Sequence, residues 1–128
     1  SSEGPALRRE YPIVPVPKPR MTRRDKWLNP PRPGVARYRA FCDECRIRGM
    51  VIPESDATVT FILPMPKSWS EKKKKRMDGE PHQVTPDLSN ILKAAEDALY
   101  ADDSAIWHYA GLQKRWGRTG RIIIEWPD

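Results

Sequence analysis

The chain has 128 residues, which suits one domain with a modest hydrophobic core. Its 23 Lys and Arg outnumber 17 Asp and Glu and give a net charge of +6, which favours a polyanionic partner over an acidic small molecule. No apolar run approaches the ~20 residues of a membrane span, so we expect a cytoplasmic protein without a membrane partner.

The N-terminal third is rich in proline and positive charge. Residues 1–10 begin SSEGP without methionine, and we interpret them as a disordered tail or a vector-derived remnant, leaving residues 11–128 as the domain. Residues 11–17 (YPIVPVP) are predicted to be extended, with their branched residues in an edge strand, where missing amide donors are tolerated. Residues 18–34 hold too many prolines and charges for regular structure, so we predict a long basic loop, and such loops are usually functional.

A helix is predicted from Val35 to Arg48, where apolar residues recur at helical spacing before Gly49. It contains both cysteines of the chain, Cys42 and Cys45. A C-x-x-C pair is typical of a redox centre or of half a zinc site, but two further zinc ligands are not obvious. A spacing of three places both thiols on one helical face, which favours two buried core residues.

The next two elements are a strand and a short helix. Residues 57–63 (ATVTFIL) are rich in β-formers, and their alternation points Val59, Phe61 and Leu63 to one face. A lysine-rich helix is predicted after a capping serine, Ser68 or Ser70, and ends at Gly79.

The strongest helical pattern lies between Thr85 and Tyr100. Thr85 before Pro86 predicts the start of this helix, and Ser89 is a later candidate for its cap. One apolar stripe follows, formed by Leu88, Ile91, Leu92, Ala95, Ala98 and Leu99.

Two strands are predicted to complete the chain, at residues 105–112 and 121–126, joined by a basic connection, 114–118, and a turn at Thr119-Gly120. The element order β-α-β-α-α-β-β predicts an α+β domain, a mixed sheet with packed helices. We expect three tryptophans in the core or at a subunit interface: Trp107, Trp116 and Trp126.

Acidic residues flank the strongest helix, with a lysine inside it. Asp87 precedes the helix or lies in its first turn, and Asp102 and Asp103 follow its end. Mg²⁺ prefers oxygen ligands and needs only one to three carboxylates to be held against a phosphate. We therefore predict Asp87, Asp102 and Asp103 as metal ligands for Mg²⁺, or Mn²⁺ in its place, with Asp87, Asp103 and Lys93 as the catalytic residues. The structural alternative is a solvated turn and an acid placed for the helix dipole.

Basic residues in two segments suit contact with phosphates. Trp27 in the basic loop suits stacking on an unpaired base. The predicted nucleic-acid-binding residues are Lys18, Arg20, Arg23, Arg24, Lys26, Lys72, Lys73 and His82. For His82 a structural hydrogen-bonding role is the alternative, and His108 is interpreted as structural.

The acidic segments also resemble a known family. PDLSNILK (86–93), DAL (97–99) and DDSAI (102–106) are similar to the P-D-x-D-N-x-x-K, D-A-L and D-D-S/A-x-I/V signature of the RusA family of Holliday-junction resolvases. KPR (18–20), SWS (68–70) and PH (81–82) also resemble its phage members, so the likeness spans about residues 13–126.

The resemblance implies a small homodimer of mixed α/β fold that binds four-way DNA and nicks two opposed strands with Mg²⁺, in a bacterial or phage-infected cell. It assigns the family's first and third metal-binding aspartates to Asp87 and Asp103, and its essential lysine to Lys93. The second aspartate falls on Ser89, a neutral and weak Mg²⁺ ligand. Asp102 or Asp97 could substitute, water could fill the position, or the protein could bind junctions without cutting.

Overall fold

The architecture is taken from a computed structural model, which describes residues 7–100 and 103–127. Within these ranges the chain forms four strands and three helices in the order β-α-β-α-α-β-β, and a 3₁₀ turn, Asp103–Ala105, follows the third helix. The elements are β1 (Leu7–Tyr11), α1 (Pro33–Ile47), β2 (Ala57–Pro64), α2 (Glu71–Met77), α3 (Leu88–Leu99), β3 (Tyr109–Gly117) and β4 (Arg121–Trp126). Both the predicted element order and the α+β class are confirmed.

The strands form one mixed sheet in the order β1-β4-β2-β3. β4 pairs antiparallel with β1 and β2, whereas β2 and β3 run parallel. A parallel pair needs a long crossover connection, and here the crossover carries α2 and α3. This topology brings the middle of β3 beside the segment that leads into α3, where a backbone bond joins the His82 N–H to the Lys114 carbonyl at 3.1 Å.

The core lies between one face of the sheet and helices α1 and α3. Alternation along β2 and β4 points Val59, Phe61 and Leu63, together with Ile122 and Ile124, into this layer. The apolar stripe of α3 covers them and also contacts α1, which fixes the position of α3 on the sheet. The buried residues of α3 are Ile91, Ala94, Ala95 and Ala98.

The structure corrects three predicted boundaries. β1 lies at Leu7–Tyr11, so residues 7–10 are in the sheet rather than in a tail, and the proline-rich stretch after Tyr11 is not a strand. The N-cap position of α3 is Asp87, and not Thr85 or Ser89. β3 spans Tyr109–Gly117, so the predicted basic connection is mostly strand. β1 is stabilised by pairing with β4, and β3 by pairing with β2. The local sequence pattern does not predict such pairing between distant segments.

The cysteines and tryptophans divide between core and surface. Cys42 and Cys45 are buried and unbridged, as predicted for core residues. Trp116 is buried and Trp126 packs against the core. Trp107 is 75% exposed, so a core position for it is wrong, and the alternative of a subunit interface stays a prediction. Within the described ranges, no helix has both the length and the apolar character needed to cross a bilayer.

Candidate functional site

Asp87 occupies the N-cap of α3 without using its side chain as a cap. Its backbone carbonyl accepts from the N–H groups of Asn90 and Ile91, at 3.1 and 3.2 Å. Its side chain makes no capping hydrogen bond, and the residue is exposed. The carboxylate therefore lies at the positive end of the helix dipole, which stabilises its charge, and faces outward.

A lysine from β3 holds the segment that precedes Asp87. Lys114 Nζ donates to the carbonyl oxygens of Val84 and Pro86, at 2.5 and 2.7 Å. Lys114 pairs in register with Phe61 and so belongs to the helix-covered face of the sheet. Sequence reasoning missed this contact because it placed Lys114 in a connection, whereas a strand at 109–117 would have placed it on one face with Leu112 and Trp116.

A surface groove of about 390 Å³ lies at the start of α3, and the basic loop begins at its edge. The groove is lined by Pro17, Thr85, Pro86, Asp87 and Asn90. The Lys18 N–H donates to the Asn90 carbonyl at 3.1 Å, which ties the beginning of the loop to α3. Asp87 and the beginning of the predicted phosphate-binding loop are thus neighbours in space.

Asp97, one turn after Lys93 on α3, contacts two lysines. Its carboxylate forms an ion pair with Lys18 Nζ, lies 3.9 Å from Lys93 Nζ and accepts from the Tyr38 hydroxyl at 3.4 Å. Burial, followed by the nearby Cys42 and Asp97, raises the pKa of Tyr38, so its hydroxyl stays protonated and can donate. Because Asp97 neutralises these ammonium groups, its position argues against its serving as the replacement metal ligand.

The two groups of predicted acidic ligands flank opposite ends of α3. Asp87 precedes the first residue of this 12-residue helix, and Asp103 opens the 3₁₀ turn that follows it. Such a helix rises about 18 Å. Asp102 and the side chain of Asp103 lie outside the described parts of the structure. Among described side chains, no group of three or more His, Cys, Asp or Glu residues is placed to hold a metal ion.

The comparison with family models decides the assignment. The model described as Endodeoxyribonuclease RusA matches residues 10–126, which is nearly the whole chain. The chain belongs to the RusA family. No curated protein matches it. Membership implies an endonuclease that binds branched DNA and resolves Holliday junctions.

Ser89, where the family resemblance leads us to expect an aspartate, is the second residue of α3 and is exposed. The first turn of α3 contains no acidic residue. A carboxylate at this position would lie beside Asp87 and would benefit from the same helix dipole, so α3 itself does not disfavour an acid there.

The basic residues of this RusA family member differ in their availability. Arg20, Arg23, Arg24 and Lys26 are exposed in the loop, whereas Lys18 is half-buried and paired with Asp97. In α2, Lys72 is exposed, and Lys73 Nζ lies 4.2 Å from the ring centroid of Trp69. The Ser70 hydroxyl caps α2 by accepting from the Lys73 N–H at 3.2 Å, as predicted. Of the predicted DNA-binding cations, four of the five in the loop and one of the two in α2 are therefore exposed.

His82 is in the interior and not on the surface that would meet DNA. It is 4% exposed, and its ring lies 4.2 Å from that of Trp116. Its Nδ1 is buried without a hydrogen-bond partner in the described structure. Burial, helped by the charge of Lys114, lowers the pKa of His82 and keeps the ring neutral. The predicted DNA contact of His82 is therefore corrected to a packing role.

The chemistry of the cysteines does not support a redox or zinc centre. Burial raises the pKa of the Cys45 thiol to about 12, and it also raises the pKa of Cys42. Thiolates are the reactive and metal-binding forms of cysteine, and these environments disfavour them.

Proposed function

We propose that this RusA family member resolves four-way DNA junctions by Mg²⁺-dependent nicking of two opposed strands, acting as a homodimer. The observation that supports this proposal best is the outward carboxylate of Asp87 at the N-cap of α3, in a groove where the basic loop begins. A phosphodiester approaching this groove meets the cations of the loop and the helix N-terminus, both of which attract phosphate.

The donor set fits a hard divalent cation. Asp87, Asp102 and Asp103 offer carboxylate oxygens, which Mg²⁺ prefers and which Mn²⁺ also accepts. A bound Mg²⁺ supplies charge stabilisation at the scissile phosphate and lowers the pKa of an attacking water. α3 separates Asp87 from Asp103 along the chain. Two acids can share an ion only if Asp103 lies near an Asp87 at the start of α3, either that of its own subunit or that of the other subunit of the dimer.

The remaining residues position the substrate and compensate charge. Lys93 is half-exposed, and its ammonium group is suited to a phosphate oxygen in the transition state. Asp97 keeps Lys93 and Lys18 on one side of α3, beside the Asn90 carbonyl that binds the loop. Lys114 fixes the backbone leading into Asp87. A two-fold dimer presents two such sites in symmetric orientation, as paired incisions require.

A second candidate function is junction binding without cutting. Ser89 favours it, because a hydroxyl in place of a carboxylate removes one negative charge from the metal site. The two functions share the same DNA surface and differ only in whether metal-dependent incision follows binding.

Incubation with a synthetic four-way junction, with and without Mg²⁺, tests the proposal. We expect paired incisions that need the metal, with a linear duplex left intact. Asp87→Asn should bind the junction without cutting it, whereas Asp43→Asn, the same change at an exposed acid of α1, should cut normally. Normal cutting by Asp87→Asn would contradict the catalytic assignment, and a bound but uncut junction with the unmodified protein would establish the second function.

A further inference from the structure

The basic loop folds around a single buried acid, Asp25, which is 1% exposed. Its carboxylate accepts four hydrogen bonds. The N–H and the hydroxyl of Thr22 donate at 2.6 and 3.1 Å, and the Nε and Nη2 of Arg32 donate at 2.7 Å each. The guanidinium beside Asp25 and these hydrogen bonds hold the pKa of its carboxyl well below the usual range, so the acid stays charged. This bidentate pair joins the middle of the loop to its end.

Further hydrogen bonds extend the Asp25–Arg32 pair into a network. Arg32 Nη2 also donates to the Arg20 carbonyl at 2.9 Å, and Arg39 of α1 donates to the Asp25 carbonyl at 3.4 Å. Inside the loop, the Trp27 N–H donates to the Arg24 carbonyl at 3.0 Å. The loop is therefore tied to itself and to α1 without any bound DNA.

The network presents an aromatic ring to solvent. Trp27 is 79% exposed, and Lys26 Nζ lies 5.6 Å from its ring centroid. An exposed indole among exposed arginines suits stacking on a base that has left its own stack, which is available where DNA strands exchange. Trp107 is almost as exposed, but its neighbours in the sequence include no arginine, and the adjacent His108 is paired with Asp56.

The charge of Asp25 opposes DNA binding. A negative charge in a loop that meets phosphates weakens attraction for every DNA, whatever its shape. The presence of Asp25 is therefore explained better by the loop conformation that it stabilises than by any contribution to DNA affinity. We propose that Asp25 is a positioning residue, whose buried pair with Arg32 holds the basic loop in the form that stacks Trp27 on an unstacked base at the branch point. This inference rests on the proposed binding of branched DNA, and it concerns junction selectivity rather than cutting.

The test separates geometry from charge. Asp25→Asn combined with Arg32→Gln removes the pair but keeps the net charge of the loop. Affinity for a four-way junction and for a linear duplex is measured in EDTA, and 2-aminopurine at the crossover reports stacking. We expect duplex affinity within about twofold of the unmodified protein and junction affinity about tenfold lower, the loss of one base–aromatic stack. The double variant should no longer quench the fluorescence of 2-aminopurine. Trp27→Ala should lose this quenching too, whereas Trp107→Ala should keep it.

Controls assign each result. Asp25→Asn alone adds one positive charge, as Asp43→Asn does on α1. Both should bind duplex more tightly, but only Asp25→Asn should lose junction preference. If the double variant does not fold, Thr22→Ala, which removes one of the four bonds to Asp25, is expected to lower junction preference about two- to threefold. Retention of junction preference and of the quench by the folded variants overturns the positioning role. An unmodified protein without junction preference overturns both this inference and the proposed function.

Discussion

If position 89 belongs to the proposed metal site, Ser89→Asp should change both stability and metal dependence. The residue is exposed in the first turn of α3, which has no acid of its own. An acid in the first turn of a helix stabilises it by about 0.3–1 kcal/mol, which corresponds to an increase in Tm of about 1–4 °C for a domain of this size. The carboxylate of Asp87 nearby reduces this gain in the absence of metal, so Mg²⁺ should raise the Tm of the variant more than that of the unmodified protein.

The effect on metal affinity can be estimated from Coulomb's law. One carboxylate 4 Å from a divalent ion gains about 2 kcal/mol at the dielectric constant of water, or roughly thirtyfold in affinity. We therefore expect the Mg²⁺ concentration for half-maximal junction cleavage to fall at least about tenfold. Ser68→Asp adds the same charge at an exposed serine outside α3 and should change neither quantity. If Ser89→Asp leaves the metal dependence unchanged while Asp87→Asn abolishes cleavage, the missing charge is supplied elsewhere and this reasoning is refuted.

Three further predictions follow from other contacts. Lys114→Met should slow cleavage about tenfold and lower the free energy of unfolding by about 1–2 kcal/mol, because two carbonyls before Asp87 lose a charged donor. Unchanged cleavage would show that the hydrogen bonds of Lys114 are not needed to position Asp87. The pKa of His82 is lowered in the folded state from its ordinary value of 6.5. At pH values below 6.5 the unfolded chain therefore binds a proton that the folded chain does not. The free energy of unfolding, measured with denaturant, should fall as the pH drops from 7.5 toward the folded pKa. His82→Gln should flatten that loss. Junction affinity should fall steeply between 50 and 200 mM salt, and a flat profile would argue against phosphate contacts by the loop.

The sequence predicted those elements whose local pattern agrees with their final environment. α1 and β2 have clear periodicity, α2 has a capping serine, and β4 is a short apolar run, and each was found within two residues of its predicted bounds. The predictions for β1 and β3 were wrong because Arg8–Glu10 and Lys114–Arg115 are charged, and only pairing with neighbouring strands makes them β-structure.

Sequence reasoning had a similar limit at the candidate site. It singled out Asp87 from its type and spacing, but not Lys114, whose role depends on a parallel strand pair closed across a long crossover. Asp25 is one acid among many bases, and its burial arises only once Arg32 folds back on it from seven residues later. Contacts of this kind are set by tertiary geometry, which a motif does not encode.

Anomalous diffraction from crystals grown with Mn²⁺ tests most directly whether acids from both ends of α3 share one ion. We predict a peak with a carboxylate oxygen of Asp87 and one of Asp103 each within about 2.3 Å, from the same subunit or from two. A saturated Mn²⁺ site that involves only one of these acids, or no peak at either, would contradict the proposed metal centre.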